Sequence, residues 1–253
     1  MDIATVEAEL AVEADLHGVP SHGVARVPGL LAALREGRVK AEPQLRRLRE
    51  KAAICVLDCD RGPGRWTSRQ AMAEAIGRAS QFGIGTCLAA NTTHWGRAHA
   101  YAAQAASAGM IGICTTNAMS SMAGWEATTP ILGNNPLAIG IPGPQPDEPI
   151  VLDMAMCQAA VGKVATRLGG GRAIPGNWGL DAAGRPSDDP AAILKGAVLP
   201  FGGHKGAGLA LMMQLMTAVL AGGLLELDLR ELVSSGSDAG ACKRFGARDL
   251  AAF

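Results

Sequence analysis

The sequence predicts an α/β protein without a standard Rossmann dinucleotide site, and three observations lead to that prediction. From about residue 50 onward, short apolar runs typical of strands alternate with longer stretches of helical periodicity. With 253 residues, 48% of them apolar and 18% charged, the chain has the composition of a packed globular protein. It contains no G-x-G-x-x-G segment, so the fingerprint of a standard Rossmann dinucleotide site is missing.

The N-terminal part of the chain predicts a small helical domain. Residues 2–16 carry apolar side chains at the spacing of an amphipathic helix, and the Gly- and Pro-containing segment His17–Gly23 interrupts it. A second helical stretch follows, and residues 38–51 are polar and basic, as in a connector. We expect a helical domain over residues 1–50 and an α/β cofactor-binding domain over residues 51–253.

In the α/β part, the positions of strands and helices follow from the periodicity of apolar residues and from the Gly, Ser and Thr residues at their ends. Strands are predicted at 54–57, 84–90, 110–116, 137–141 and 150–152, and helices at 67–82, 97–108 and 154–167. The strand, helix and strand over residues 84–116 have the size of a βαβ unit. Residues 175–190 are rich in Gly, Pro and Asp and predict a loop.

Charge and cysteine content exclude several classes of protein. Lys plus Arg equals Asp plus Glu, 23 against 23, so no net positive field favours nucleic acid. The N-terminus lacks the basic and apolar regions of a secretory signal, so a cytoplasmic location is expected. The six cysteines are then expected to be buried free thiols rather than a disulfide framework.

One uncharged segment, Gly206–Leu225, has the length of a membrane span. It contains Gln214, Thr217 and four glycines, and it directly follows a His-Lys loop. We therefore expect a buried helix of an α/β protein and no membrane association.

Histidine placement is the strongest chemical signal, because the motifs of P-loop NTPases, zinc hydrolases and α/β-hydrolases are absent. His94 lies in Asn91–Gly96, at the carboxyl end of a predicted strand, where α/β sheets collect ligands. An imidazole there can exchange a proton with a substrate oxygen. The alternative is a loop histidine that caps the following helix.

A second cluster consists of Ser21, His22 and Arg26. The arginine fork suits a carboxylate, and the neighbouring hydroxyl and imidazole suit a carbonyl oxygen. The alternative is a turn between domains with solvated polar groups. Pairs of histidines five residues apart do not share one helical face, and no thiol or carboxylate has fitting spacing, so no metal site is expected.

Two further segments are candidates for anion or cofactor contacts. His204 and Lys205 lie in a glycine-rich turn at a helix start, where backbone N–H groups and the helix dipole favour a phosphate. The alternative is a close helix contact lined by glycine. Asp153 ends a predicted strand, where it either caps the next helix or binds a cofactor hydroxyl.

Together these motifs resemble, in order, those of the malate/L-lactate dehydrogenase family, which includes ureidoglycolate, sulfolactate and 2,3-diketogulonate oxidoreductases and a cyclic-imine reductase. The resemblance covers nearly all of residues 2–225. It is carried by six segments: Ala14–Arg26, Asn91–Gly96, Gly109–Asn117, Leu132–Ile139, Leu152–Ala155 and Pro200–Leu211.

The resemblance implies a non-Rossmann mixed sheet with helices on its faces, like that of L-sulfolactate dehydrogenase, and a homodimer that binds NAD or NADP near the subunit interface. It implies that His22 and His94 are the candidate proton carriers and that Ser21 and Arg26 contact substrate. Residues in cofactor-contacting segments are Asp153, Met154, Ala155, His204 and Lys205.

The expected reaction interconverts a 2-oxo acid and a 2-hydroxy acid with NAD(P)H, with a pH dependence near an imidazole pKa of about 6.5. A cyclic-imine or imino-acid reductase and an inactive, partner-binding remnant are the alternatives. The remnant is considered because the chain resembles a family member shortened at both ends. Residues 226–253 are expected to have no counterpart in the family.

Overall fold

The computed structural model describes residues 2–145, 148–168, 174–225, 227–229 and 240–252. Its α-helices are α1 (Ile3–Leu16), α2 (Val27–Arg35), α3 (Gly64–Phe82), α4 (His99–Ser107), α5 (Val161–Ala165), α6 (Pro190–Lys195) and α7 (His204–Gln214). Its strands are β1 (Arg46–Lys51), β2 (Ile54–Asp58), β3 (Ile84–Thr92), β4 (Met110–Thr116), β5 (Met122–Ala123), β6 (Pro130–Leu132), β7 (Leu137–Ile141), β8 (Ile150–Met154), β9 (Gly179–Leu180), β10 (Pro186–Ser187), β11 (Ala197–Val198) and β12 (Ala241–Asp249).

Seven of these strands form a mixed sheet in the order β1-β2-β3-β12-β4-β7-β8. β2 and β3 run parallel, and each of the other neighbouring pairs is antiparallel. Helices α3 and α4 pack on the sheet, and their small side chains allow close contact with it. The mixed sheet with helices on its faces is the predicted fold class.

Strand β12 lies between β3 and β4 and pairs antiparallel with both. The predicted strand, helix and strand over residues 84–116 are therefore present as β3, α4 and β4, but the two strands are not neighbours. Phe245 of β12 packs edge-on against the rings of Trp95 and Tyr101 in the core. The C-terminal segment thus supplies a central strand of the domain.

A smaller sheet has the order β10-β9-β11-β5-β6. Two of its strands fall inside residues 175–190, so the prediction of a loop there was wrong in part. The predicted helix at 154–167 was also wrong, because β8 extends to Met154 and α5 covers Val161–Ala165 alone. This sheet surrounds a second apolar core that includes Met122, Met156 and Ile193.

The two predicted N-terminal helices are present as α1 and α2, but their buried faces differ from the expected apolar stripe. In α1 the buried residues are Val6, Glu7, Ala11 and Ala14, whereas Leu16 is 82% exposed. The predicted connector over residues 38–51 was wrong at its end, because β1 pairs with β2 there. The proposed boundary between residues 50 and 51 falls inside β1.

Helix α3 begins one turn earlier than the Thr67 capping box predicted. Pro63 is its N-cap, and the Thr67 hydroxyl lies inside the first turn, where it donates to the carbonyl oxygen of Pro63 at 3.0 Å. The predicted end at Gly83 is confirmed. The helix therefore begins without a hydrogen bond from an N-cap side chain.

The apolar segment that starts at His204 forms α7 and a five-residue π-helical continuation, Leu215–Val219. Its alanines are buried, but Leu211, Met212 and Val219 are more than 40% exposed, so the expected buried helix is covered on one side alone. Among the described residues, no helix is long and apolar enough to cross a bilayer. The six cysteines are free and buried, as expected.

Candidate active site

The structure brings together two of the histidines that the sequence singled out. The imidazole rings of His22 and His94 lie 5.5 Å apart between their centroids. His22 ends the short 3-10 turn Pro20–His22 after α1, and His94 follows β3 in the loop before α4. The Ser-His-Gly segment and the Asn-Thr-Thr-His segment therefore form one site.

The turn that carries His22 is held by hydrogen bonds from several directions. The Ser21 hydroxyl lies 3.0 Å from Nδ1 of His22, and the Asp15 carboxylate accepts from the Val24 N–H at 3.0 Å. A Cβ on Gly23 would collide with the Asp15 carboxylate, so any side chain there would displace that carboxylate from the Val24 N–H. The turn is thereby fixed to the end of α1.

Arg65 is a structural residue of the site that the sequence analysis missed. Its guanidinium donates to the carbonyl oxygen of His22 at 2.9 Å and forms a 3.1 Å ion pair with Glu7. Both side chains are less than a tenth exposed. The other Glu7 oxygen accepts from the Trp66 N–H at 2.9 Å, which satisfies the buried carboxylate on both sides. α1, the His22 turn and α3 are joined at this point.

The same arginine packs against the second histidine loop. A Cβ on Gly96 would lie 2.9 Å from Nε of Arg65, so the lack of a side chain there lets the guanidinium approach. Arg65 follows the Gly62–Gly64 turn at the start of α3, and nothing in its spacing predicts that it lies between two distant motifs. A tertiary contact of this kind has no periodic signature in sequence.

His94 has a defined tautomer in the structure. The Gly96 N–H donates to Nδ1 of His94 at 3.2 Å, so the neutral ring carries its proton on Nε2. The side chain is accessible to solvent, although protein atoms are packed closely around it. A Cβ on Gly64 would collide with the carbonyl oxygen of His94, so the start of α3 lies directly against this loop.

Both imidazoles are held in the neutral form at neutral pH. Burial, followed by the positive charges of Arg26, Arg65 and Arg97, lowers the pKa of His22 to about 4. Withdrawal from bulk solvent, followed by the charges of His22 and Arg26, lowers the pKa of His94. The pKa of His22 therefore departs from the unperturbed value of about 6.5, because burial and then three guanidinium groups oppose its protonation.

Arg26 lies beside the histidine pair, as the sequence predicted. Its Nε donates to the Ser21 carbonyl oxygen at 2.8 Å, which directs the side chain along the turn. The residue is exposed, and in the described part of the chain its two terminal NH2 groups have no hydrogen-bond partner. Those two groups are available to a carboxylate.

Asp153 caps a helix, but not the one that the sequence suggested. Its carboxylate accepts from the His99 N–H at 3.0 Å, at the start of α4, and lies 3.8 Å from Nε of Arg97. Glu13 joins this group through His99, at 3.2 Å, and Arg97, at 3.7 Å. No cluster of metal-ligating side chains occurs in the described ranges.

His204 and Lys205 form the start of α7, as predicted, and both are exposed. The N–H groups of Lys205, Gly206 and Ala207 donate to carbonyl groups of the preceding turn, so the backbone offers little to a phosphate. The His204 ring lies 5.6 Å from Trp125. Within the described residues, no hydrogen bond or ring contact links this turn to the histidine pair.

The fold and site define a class of protein: a mixed-sheet α/β protein with paired neutral imidazoles and an available arginine fork. The family model for malate/L-lactate dehydrogenase matches residues 1–253, and the chain belongs to that family. The match extends through β12, so the expectation that residues 226–253 have no counterpart was wrong. The charged residues of β12 do not follow the usual pattern of a strand, although β12 pairs with β3 and β4.

Curated relatives have related activities in their names. The L-sulfolactate dehydrogenase of Methanocaldococcus jannaschii is 38% identical over 216 residues, which cover 85% of this chain and 62% of that protein. The 2,3-diketo-L-gulonate reductase of Klebsiella oxytoca is 36% identical, over 91% of this chain and 68% of the relative. The (2R)-3-sulfolactate dehydrogenase (NADP(+)) of Chromohalobacter salexigens is 35% identical, over 87% of this chain and 65% of that protein. The chain thus spans about two thirds of their length.

Solved structures match the fold closely. A dehydrogenase from Sinorhizobium meliloti superimposes with a TM-score of 0.92 at 33% identity, covering 99% of this chain and 73% of that one. The malate dehydrogenase of Pyrococcus horikoshii gives 0.88 at 32% identity, with 99% and 70% covered. The delta1-piperideine-2-carboxylate reductase of Pseudomonas syringae gives 0.89 at 31% identity, with 97% and 74% covered.

Proposed function

We propose that this protein interconverts a 2-oxo acid and a 2-hydroxy acid with NAD or NADP. The observation that carries the proposal is the pairing of His22 and His94 at 5.5 Å, next to the available guanidinium of Arg26. This arrangement combines a proton carrier with a carboxylate anchor, which are the two groups that the reaction requires from the protein. The names of the relatives support the same chemistry.

In the proposed site, Arg26 holds the substrate carboxylate through its two terminal NH2 groups, and Ser21 lies beside it. In the oxidation direction a neutral imidazole accepts the proton of the substrate hydroxyl, and in the reduction direction the imidazolium form, which takes its proton from water, returns one to the substrate oxygen. His94 presents an Nε2–H, because its Nδ1 accepts from the Gly96 N–H, and it donates this hydrogen bond to a carbonyl oxygen. His22 is the second candidate proton carrier.

The nicotinamide cofactor, when bound, supplies the hydride for reduction or accepts it in oxidation. Residues that fit such a group are Lys205, whose exposed ammonium lies at the positive end of α7, and His204 beside it. Asp153, Met154 and Ala155 form the second predicted cofactor segment, at the end of edge strand β8. Asp153 already caps α4 through Oδ2, so its other carboxylate oxygen would be the one to accept from a cofactor hydroxyl.

We also propose that the protein works as a homodimer. The exposed apolar residues of α7 and its π-helical continuation provide a surface that a second copy would cover. Light scattering coupled to size exclusion tests this directly. A particle of twice the 25.9 kDa chain mass is expected, and a monomer at micromolar concentration contradicts it.

The function is tested by following NADH and NADPH absorbance with a panel of 2-oxo acids, including a sulfonated one, and one cyclic imine carboxylate. Consumption of either cofactor with a 2-oxo acid is expected. Preference for the cyclic imine would identify the alternative reductase, which the match to the piperideine-carboxylate enzyme brings into consideration. Quenching of cofactor fluorescence on adding the protein would argue against the inactive, partner-binding remnant, whereas neither quenching nor turnover would favour it.

A further inference from the structure

Lys243 is a buried lysine on the central strand β12, and the proposed reaction does not use it. It is 1% exposed, and no carboxylate forms an ion pair with it within the described residues. Its Nζ donates to the Thr93 carbonyl oxygen at 2.7 Å and to the Thr92 hydroxyl at 2.9 Å. A buried ammonium is costly, so its hydrogen bonds require a structural or functional reason.

The groups that Lys243 contacts are the immediate neighbours of His94. Thr92 and Thr93 precede the histidine, and Trp95 follows it with its ring centroid 5.9 Å from the lysine Nζ. The Thr92 hydroxyl is also 2.7 Å from that of Thr67 in the first turn of α3. The His94 loop is therefore held by two elements: by Thr67 of α3 and by Lys243 of β12.

The charges around this loop are almost all positive. Burial is the main cause that lowers the pKa of His94, and His22, Arg26, Arg65 and Lys243 follow in that order. Burial lowers the pKa of Lys243 to about 7, while Cys59, Cys242 and Glu7 act in the opposite direction. Over the acidic range in which an imidazole titrates, Lys243 is therefore protonated and adds its charge to the others.

We propose that Lys243 is a positioning residue for His94: its hydrogen bonds to Thr92 and Thr93 fix the backbone of the loop, and its ammonium places a positive charge next to that loop. The catalytic consequence rests on the proposed oxidoreductase function, whereas the electrostatic one does not. A positioning group on β12 also gives the C-terminal strand a direct role in the site.

The electrostatic part is tested by NMR titration of the imidazole Cε1–H signals in the whole chain. The chain has five histidines, so the signals are few, and the signal that is missing in H94N is that of His94. In K243M, His94 is expected to protonate at higher pH than in the unmodified chain. T92V is the matched control, because it removes a hydroxyl acceptor of Lys243 but keeps the charge. Its His94 should titrate as in the unmodified chain.

An unchanged His94 titration in K243M, or an equal shift in T92V, would overturn the inference. If K243M does not fold, K243Q removes the charge while keeping an amide donor, and the same upward shift is expected. In an active protein, K243M should lower kcat by up to about 10²-fold with little change in the KM of the oxo acid. A chain without turnover would refute the proposed function, yet the NMR titration would still decide the role of Lys243.

Discussion

Arg65 donates a hydrogen bond of 2.9 Å to the carbonyl oxygen of His22, and this contact joins the first turn of α3 to the Ser-His-Gly turn. The same guanidinium lies against Gly96 and forms a buried ion pair with Glu7. The relative placement of the two histidines therefore depends on one arginine that belongs to neither motif.

The Glu7–Arg65 pair should be important for stability. Glu7→Gln leaves the Arg65 charge buried without a counter-ion, and removing one partner of such a pair costs about 3–5 kcal/mol. Glu9→Gln is the matched control on the same helix, because the Glu9–Arg69 pair is solvent-exposed and contributes at most about 1 kcal/mol. Urea unfolding measures both. Equal losses in the two variants would show that the buried pair has no special role.

The close contact between α3 and the His94 loop should be sensitive to a single methyl group. Gly64→Ala places a Cβ against the His94 and Thr93 carbonyl oxygens, so the loop must move, and we expect up to about 10²-fold lower turnover. Gly77→Ala in the same helix meets no atom within 4 Å and should stabilise the fold by about 0.4–1 kcal/mol at unchanged activity. Full activity in Gly64→Ala would argue against a fixed His94 position.

The elements that the sequence predicted well are those with a local signal. β4 and β7 match their predicted ranges, and α3 ends at the predicted Gly83, because alternation and a C-terminal glycine are properties of short segments. The motif resemblance named His22 and His94 as candidate proton carriers, but no local pattern predicted that their rings lie together. Arg65 and Glu7 were missed because their contact joins residues far apart in the chain.

Strand β12 shows where local patterns fail. Its sequence contains Lys243, Arg244, Arg248 and Asp249, which are uncommon in a central strand. The strand nevertheless pairs with β3 and β4, because Lys243 donates to a carbonyl and a hydroxyl oxygen and Phe245 packs in the core. The central strand of the sheet was therefore not predicted, because its charged residues are untypical of a buried strand.

Arg26 should act on substrate and not on cofactor. Arg26→Lys keeps the charge but loses the two-pronged hydrogen bond, so the KM of the oxo acid should rise about 10-fold or more at nearly constant cofactor Kd. Arg35→Lys, on the exposed surface of α2, should change neither constant. A KM equal to that of the unmodified protein would remove Arg26 from the substrate site.

The lowered pKa of His22 should make the fold less stable in acid. The unfolded chain binds a proton at this residue below about pH 6.5, whereas the folded chain binds it only near pH 4, so stability falls as the pH decreases through this window. At pH 5 the contribution is about 2 kcal/mol relative to pH 7.5. Denaturant unfolding at both pH values measures it.

The matched variant for this titration is His22→Asn, which has no group that titrates in the window. It should lose less stability than the unmodified chain between pH 7.5 and pH 5, while the carboxylates contribute equally to both. Identical losses would mean that His22 is not held in the neutral form by its surroundings.

The central claim, that His22 and His94 act on a substrate oxygen during hydride transfer, is tested most directly with cofactor deuterated at nicotinamide C4. In the unmodified protein, deuterium is expected at C2 of the 2-hydroxy acid formed from the active 2-oxo acid. His22→Asn and His94→Asn should slow this transfer unequally, with a loss of about 10²–10⁴-fold for the proton carrier, whereas His17→Asn should not. Transfer at an unchanged rate in both single variants, or no deuterium at C2 of any product, would contradict the account.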